Sequence, residues 1–231
     1  MPSALRRWGH HVANLPALPG LIWKNVKHLC APQRSAAAQA RRSVPTAHFE
    51  AIYARNPDPW KYGTSAYEQE KYTATVAALP EMRFRRGLDI GCSIGVLTRR
   101  LADRCDELLA IDVVERALAQ ARALCADTPQ VSFARARIPE EWPEGRFDLI
   151  VISEVLYYLD PADIRRTATA CLRSLEPGGT LALVNFLPPN KRPCYADEAV
   201  TLLCAALRRR CEPAIGRRAE TYRLDVLRAV R

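Results

Sequence analysis

Leu88-Asp89-Ile90-Gly91-Cys92-Ser93-Ile94-Gly95 is a short apolar run that breaks into a turn of small residues, and Asp112 stands at the end of the next apolar run. An apolar run followed by such a turn reads as a buried strand feeding a helix. Small side chains at 91, 93 and 95 let the backbone approach a ligand closely, and a helix expected to begin near Ile94 aims its free N–H groups at the same place. The stretch therefore reads as a nucleoside-cofactor site.

Spacing selects the cofactor. The dinucleotide fingerprint needs glycine at the first, third and sixth positions, which here are Gly91, Ser93 and Val96, so two of three fail. The looser acidic-x-Gly-x-Gly-x-Gly pattern of S-adenosylmethionine (SAM) sites falls on Asp89, Gly91, Ser93 and Gly95, with only the middle glycine replaced. SAM is the expected cofactor, with S-adenosylhomocysteine (SAH) as its product.

Outward from this turn, strands and helices alternate as in a doubly wound α/β sheet. Strands are expected at Leu88–Ile90, Leu108–Ile111, Val131–Ala134, Phe147–Ile152 and Leu181–Phe186, with a last strand from Tyr222 to Val230 whose partner is indistinct. Ile94, Leu97, Thr98 and Leu101 stripe one helix, and Val114, Leu118, Ala121 and Cys125 stripe the next. A helix from about Pro161 to Ser174 ends at a Leu175–Gly179 stop, and a further helix carries Val200, Leu203, Cys204 and Leu207. The expected fold is a Rossmann-like, seven-stranded, mostly parallel sheet. Ahead of it, residues 46–82 are expected to form a helical lid rich in aromatic residues and split at Asn56-Pro57-Asp58-Pro59.

The 231 residues carry a net charge of +9, unevenly placed: seven of the 34 basic residues precede Glu50, and no acidic residue does. The remainder holds 27 basic against 25 acidic residues, so the excess belongs to a leader of about 45 residues and no nucleic-acid surface is expected on the body. Within that leader, Leu21, Ile22, Val26 and Leu29 with Lys24 and Lys27 suit a short basic amphipathic helix, which would make at most a weak contact with a membrane surface. A cytoplasmic location is expected, since the N-terminus lacks a secretory apolar stretch. The eight cysteines contain no pair spaced as a zinc knuckle or redox dithiol, and all four histidines precede residue 49, so no metal is expected.

Together, Leu88–Gly95, Asp112, Phe147–Ile150 and Leu175–Gly179 resemble the class I SAM-dependent methyltransferase fold. Asn56–Trp60, Tyr67–Tyr72, Ile90–Thr98, Ser153–Tyr158 and Tyr222–Asp225 resemble, more closely, the nodulation-protein-S-like methyltransferases over residues 48–228. The resemblance implies N-methylation of an amine on a small molecule or de-N-acetylated saccharide. O-methylation of a sugar or small phenol and a non-catalytic SAM-binding role are the alternatives. It also implies that Asp89, Gly91, Cys92, Ser93 and Gly95 surround the methionine and ribose, that Asp112 accepts from the ribose hydroxyls, and that Val113 and Ile138 cover the adenine. Ser153 joins the cofactor site. The position where relatives hold an acid against the adenine amine is Arg137 here, and Trp60, Tyr67 and Lys71 are expected to close over the methionine, with Lys71 pairing its carboxylate.

Methyl transfer from a sulfonium is an in-line displacement, so the protein must chiefly align the reactants and exclude water. An ammonium acceptor has no lone pair until it loses a proton, which calls for a carboxylate, a tyrosine or desolvation near the methyl group. Glu154, just past the fourth strand, is the expected group that holds or deprotonates the acceptor, with Tyr157 lining its pocket.

Overall fold

The computed structural model describes residues 42–188 and 195–230. The basic helix expected near Leu21–Leu29, Cys30 and Cys194 lie outside the described residues. The elements run α1 (Thr46–Arg55), α2 (Ala66–Ala78), β1 (Phe84–Ile90), α3 (Val96–Ala102), β2 (Cys105–Asp112), α4 (Glu115–Leu124), β3 (Val131–Arg135), β4 (Phe147–Ser153), a 3₁₀ turn (Leu156–Tyr158), α5 (Pro161–Ser174), β5 (Leu175–Phe186), α6 (Tyr195–Leu207), β6 (Cys211–Arg218) and β7 (Tyr222–Ala229).

One seven-stranded sheet has the order β3-β2-β1-β4-β5-β7-β6. The first five strands are mutually parallel, and β7 runs antiparallel to both β5 and β6. The chain moves from β1 to β2 on one side and returns to β4 on the other, so the crevice at the carboxyl ends of β1, β2 and β4 is the topological switch point of the sheet. In β4, every residue from Leu149 to Ile152 is fully buried, as a central strand with helices on both faces requires. Leu88, Ile90, Ile150, Ile152, Leu181 and Leu183 pack on the face covered by α5 and α6. Phe84, Leu108, Leu149, Val151, Ala182 and Val184 pack on the face shared with Leu97 and Leu101 of α3 and Tyr72 of α2.

Both expected helical stripes are buried, including Cys125 at the end of α4. Helix α3 begins at Val96, two residues later than expected, because Gly95 at φ +85° caps it in a left-handed turn. The strand after α5 begins at Leu175 itself. Phe147 pairs with Leu175 and Leu149 with Thr180, so the Glu176–Gly179 stop bulges out of the ladder instead of preceding it. The missing partner of β7 is β6, an edge strand interrupted by Pro213 and a register shift. The structured body reaches further back than residue 45. The Val44 N–H donates to the Tyr158 carbonyl at 2.8 Å, and Ser43 Oγ accepts from the Asp160 N–H at 2.9 Å and also bonds the Asp163 carboxylate. Asp160 caps α5 through the N–H groups of Ala162 and Asp163, with Pro161 in the first turn, and so ties this strap to the sheet. Among the described residues, no helix is long and apolar enough to cross a membrane.

Candidate cofactor and acceptor site

The crevice at the switch point holds a cavity of about 770 Å³, its open mouth included. Gly91, Ser93, Asp112, Val113, Ile138, Ser153, Glu154 and Trp60 line it, so eight of the fourteen expected site residues converge there. A smaller cavity of about 310 Å³ shares Gly91, Ser93, Ser153 and Glu154 and is also lined by Asp89 and Cys92.

The turn is built by its backbone. The N–H groups of Gly91 and Cys92 both donate to the Ile111 carbonyl, at 2.9 and 3.0 Å, which fastens the end of β1 to the end of β2. Gly91 adopts φ +80°, and a Cβ there would lie 2.3 Å from Val155 Cγ2. Ser93 also takes a positive φ, +51°, which carries its N–H to Asp112 Oδ2 at 2.9 Å. Asp112 Oδ1 accepts from the Val114 N–H at 2.9 Å. Burial pushes the Asp112 carboxyl up from its ordinary range, and these backbone donors pull it back. A carboxylate so held retains acceptor capacity on both oxygens for a diol.

Asp89 is fully buried. Its Oδ2 accepts from Thr98 Oγ1 at 2.7 Å, while Oδ1 has no partner. Burial raises its pKa to about 6, with the Thr98 hydroxyl working against the shift. An unpartnered carboxylate oxygen beside the small cavity is what the ammonium of a methionine moiety would satisfy, so the residues present fit SAM. Among the described residues, no group of three or more His, Cys, Asp or Glu is arranged to hold a metal ion.

The remaining six expected residues divide. Cys92 lines only the smaller cavity and packs on Ala110 and Leu118. Gly95 lines neither, and its left-handed turn lies 2.9 Å, measured from a would-be Cβ, from the backbone of Ala121 in α4. The closeness visible at 95 is thus between α3 and α4. Tyr67 also lines neither cavity; its hydroxyl donates to the Thr221 carbonyl at 3.0 Å. Tyr157 is turned onto Glu154, donating to Oε2 at 2.7 Å, and Tyr158 takes its place in the cavity wall. Lys71, expected at the cofactor carboxylate, is instead buried between Glu68 and Glu154.

Glu154 stands at φ +59° in the turn after β4. Oε1 accepts from Lys71 Nζ at 2.6 Å, and Oε2 accepts from Tyr157 and, at 3.0 Å, from the Phe186 N–H. Glu68, Lys71 and Glu154 together carry one net negative charge at the cavity wall. Arg137 lines the other end, where its guanidinium donates to Thr46 Oγ1 at 3.2 Å.

Of the twelve wall residues that are not among the expected site residues, four come from the lid: Thr46, Phe49, Tyr53 and Tyr62. Phe49 and Tyr53 are four residues apart and share a face of α1, a spacing visible in the sequence. The Tyr53 hydroxyl forms a short hydrogen bond with Ser93 Oγ, and burial and Asp112 push its phenol up, so it is neutral there. Trp60 stacks on Tyr62 with ring centroids 5.6 Å apart.

A family model described as nodulation protein S (NodS) matches residues 52–184. The nodulation protein S of Sinorhizobium fredii is 34% identical over 137 residues, covering 58% of this chain and 63% of that protein. That of Rhizobium tropici is 34% identical over 126 residues, covering 54% and 53%. The chain thus spans less than two thirds of the length of these curated relatives. The N-methyltransferase NodS of Bradyrhizobium japonicum, solved with SAH, superposes with a TM-score of 0.69 at 27% identity, over 80% of this chain and 98% of that one.

Proposed function

The chain belongs to the nodulation protein S family, and from that footing we propose that it is a SAM-dependent methyltransferase that methylates an amine nitrogen. The acceptor class we assign is a small molecule or saccharide bearing a free amine, as a de-N-acetylated amino sugar does. The observation that carries the reading is the convergence of the Gly91–Ser93 turn, Asp112 and Glu154 on one cavity at the switch point. The free thiols of the six described cysteines suit a reducing compartment, and we assign the cytoplasm.

When bound, SAM supplies a methyl group on a sulfonium, an electrophile that needs no acid catalyst. The protein's own residues do the rest. Asp112 accepts hydroxyl hydrogens of the ribose, Val113 and Ile138 present apolar surface to a flat base, and Asp89 Oδ1 receives the ammonium. Phe49, Tyr53, Trp60 and Tyr62 wall off water. Glu154, with the net charge of its cluster, draws a basic nitrogen into the cavity and orients it.

Glu154 already accepts from Lys71 Nζ at 2.6 Å, from Tyr157 and from the Phe186 N–H, so the part we assign it is to hold the amine. The amine loses its proton to bulk solvent through the open mouth of the cavity before the methyl group moves. The variant Glu154→Gln tests this. A hydrogen bond to a charged group contributes about 2 kcal/mol, so acceptor kcat/KM is expected to fall roughly thirtyfold with SAH affinity unchanged. Near-wild-type turnover would remove Glu154 from the site, and mass spectrometry of products from amine-blocked acceptors would expose transfer to oxygen.

A further inference from the structure

Lys71 sits on α2 with its side chain 1% exposed, and its Nζ lies 2.6 Å from Glu154 Oε1, 3.0 Å from Glu68 Oε1 and 2.9 Å from Glu68 Oε2. The Tyr67 ring is 5.1 Å away on another side. The ammonium lines neither cavity, and its donors are spent on two carboxylates from different parts of the chain. Burial disfavours the charged lysine, but Glu154 and Glu68 outweigh it and hold the ammonium protonated.

We infer that Lys71 is a positioning residue: it holds the Glu154 carboxylate correctly aimed against the acceptor, and takes no part in holding the cofactor. This rests on the reading of Glu154 as the acceptor-side carboxylate. Glu154 needs such a hold because its backbone is in the left-handed region, which a residue with a side chain adopts only when its surroundings over-determine it. Tyr157 and the Phe186 N–H fix Oε2, and Lys71 alone fixes Oε1. The ion pair also joins α2 to the turn after β4.

The charged and titratable groups around Glu154 are Lys71, Glu68, Tyr67 and Tyr72 on α2, Tyr62 before it, Tyr157 and Tyr158 in the 3₁₀ turn, and Asp89 across the smaller cavity. The tyrosines are pushed up by burial and stay neutral, so Lys71 is the cation that balances the two glutamates. Without it, two carboxylates that shared one ammonium share a proton instead.

The test uses the full-length chain carrying Lys71→Met. Calorimetry measures SAH binding, and kcat and KM for an amine acceptor are followed across pH. SAH affinity is expected to stay within about threefold, while acceptor kcat/KM falls by roughly thirtyfold or more and the acid limb of its pH profile moves upward. The double variant Lys71→Met/Glu68→Gln leaves Glu154 the sole carboxylate of the cluster, so the limb should return and part of the rate should recover. A merely structural lysine would show neither effect. A loss of SAH affinity by about tenfold, or an unmoved acid limb, overturns the inference. Should Lys71→Met not fold, Lys71→Arg keeps the charge with a different reach: acceptor KM should rise with SAH binding intact, and loss of SAH binding would again overturn it. A wild type that binds SAH but methylates nothing rejects the functional reading instead, while the SAH arm still decides whether Lys71 serves Glu154 or the cofactor.

Discussion

Asp89 concentrates the electrostatic tension of the site in one oxygen. It is fully buried, its Oδ1 is unpartnered, and its pKa is raised from 3.8 to about 6. For a carboxyl whose folded pKa lies above its unfolded one, the neutral form is favoured by folding. That contribution is complete below about pH 4 and is lost as pH rises through about 6. The unliganded protein above pH 6 therefore holds an uncompensated carboxylate that a cationic ligand group relieves. SAH should bind well at pH 7.5 and progressively more weakly as pH falls through 6, where Asp89 takes up a proton. Calorimetric titrations from pH 7.5 to pH 5 check this, with Asp89→Asn expected to give weak, pH-independent binding. A flat wild-type profile would place the ammonium elsewhere.

At the scale of elements, the early strands and helices were legible because each carries its own period: the uninterrupted apolar run of β4, the i, i+3, i+4, i+7 stripe of α3, the acid at the end of β2. Strand β6 was not, since Cys211–Arg218 is an edge strand with few buried side chains, broken by Pro213. The Gly91–Ser93 turn that lines the cavity was legible because its residues are neighbours in sequence. Glu154 was singled out as well, but its surroundings were not legible: the Lys71–Glu154 pair joins residues 83 apart, and nothing local at Glu154 announces a left-handed backbone. Gly95 was expected beside the cofactor, and the structure places it against α4. Its smallness serves the contact of α3 with α4, where a Cβ would come within 2.9 Å of Ala121 Cα at φ +85°. Gly95→Ala should therefore cost about 1–3 kcal/mol of stability in urea unfolding. SAH affinity measured on the folded fraction should be preserved, and its selective loss would return Gly95 to the cofactor site.

Across the whole molecule, topology decides where chemistry can happen and the lid decides what it excludes. The reversal of strand order between β1 and β4 opens a crevice at their carboxyl ends. Helix α1 and the strap at Ser43 and Val44, fastened to Tyr158 and to the cap of α5, close one side of it. Helix α2 is bound to the other side through Lys71. The acceptor end of the cavity carries the negative polarity, since the Glu68–Lys71–Glu154 cluster has one net formal negative charge there, while Arg137 elsewhere in the wall is paired with Glu140 at 3.6 Å. That polarity favours a positively charged acceptor over a neutral phenol. The direct measurement is to incubate the full-length chain with methyl-labelled SAM and amino sugars, chitosan oligomers, their N-acetylated counterparts and simple phenols, and to locate the label by mass spectrometry. Label on the free amines alone is the predicted result; label only on hydroxyl acceptors, or on none while SAH still binds, would contradict the account.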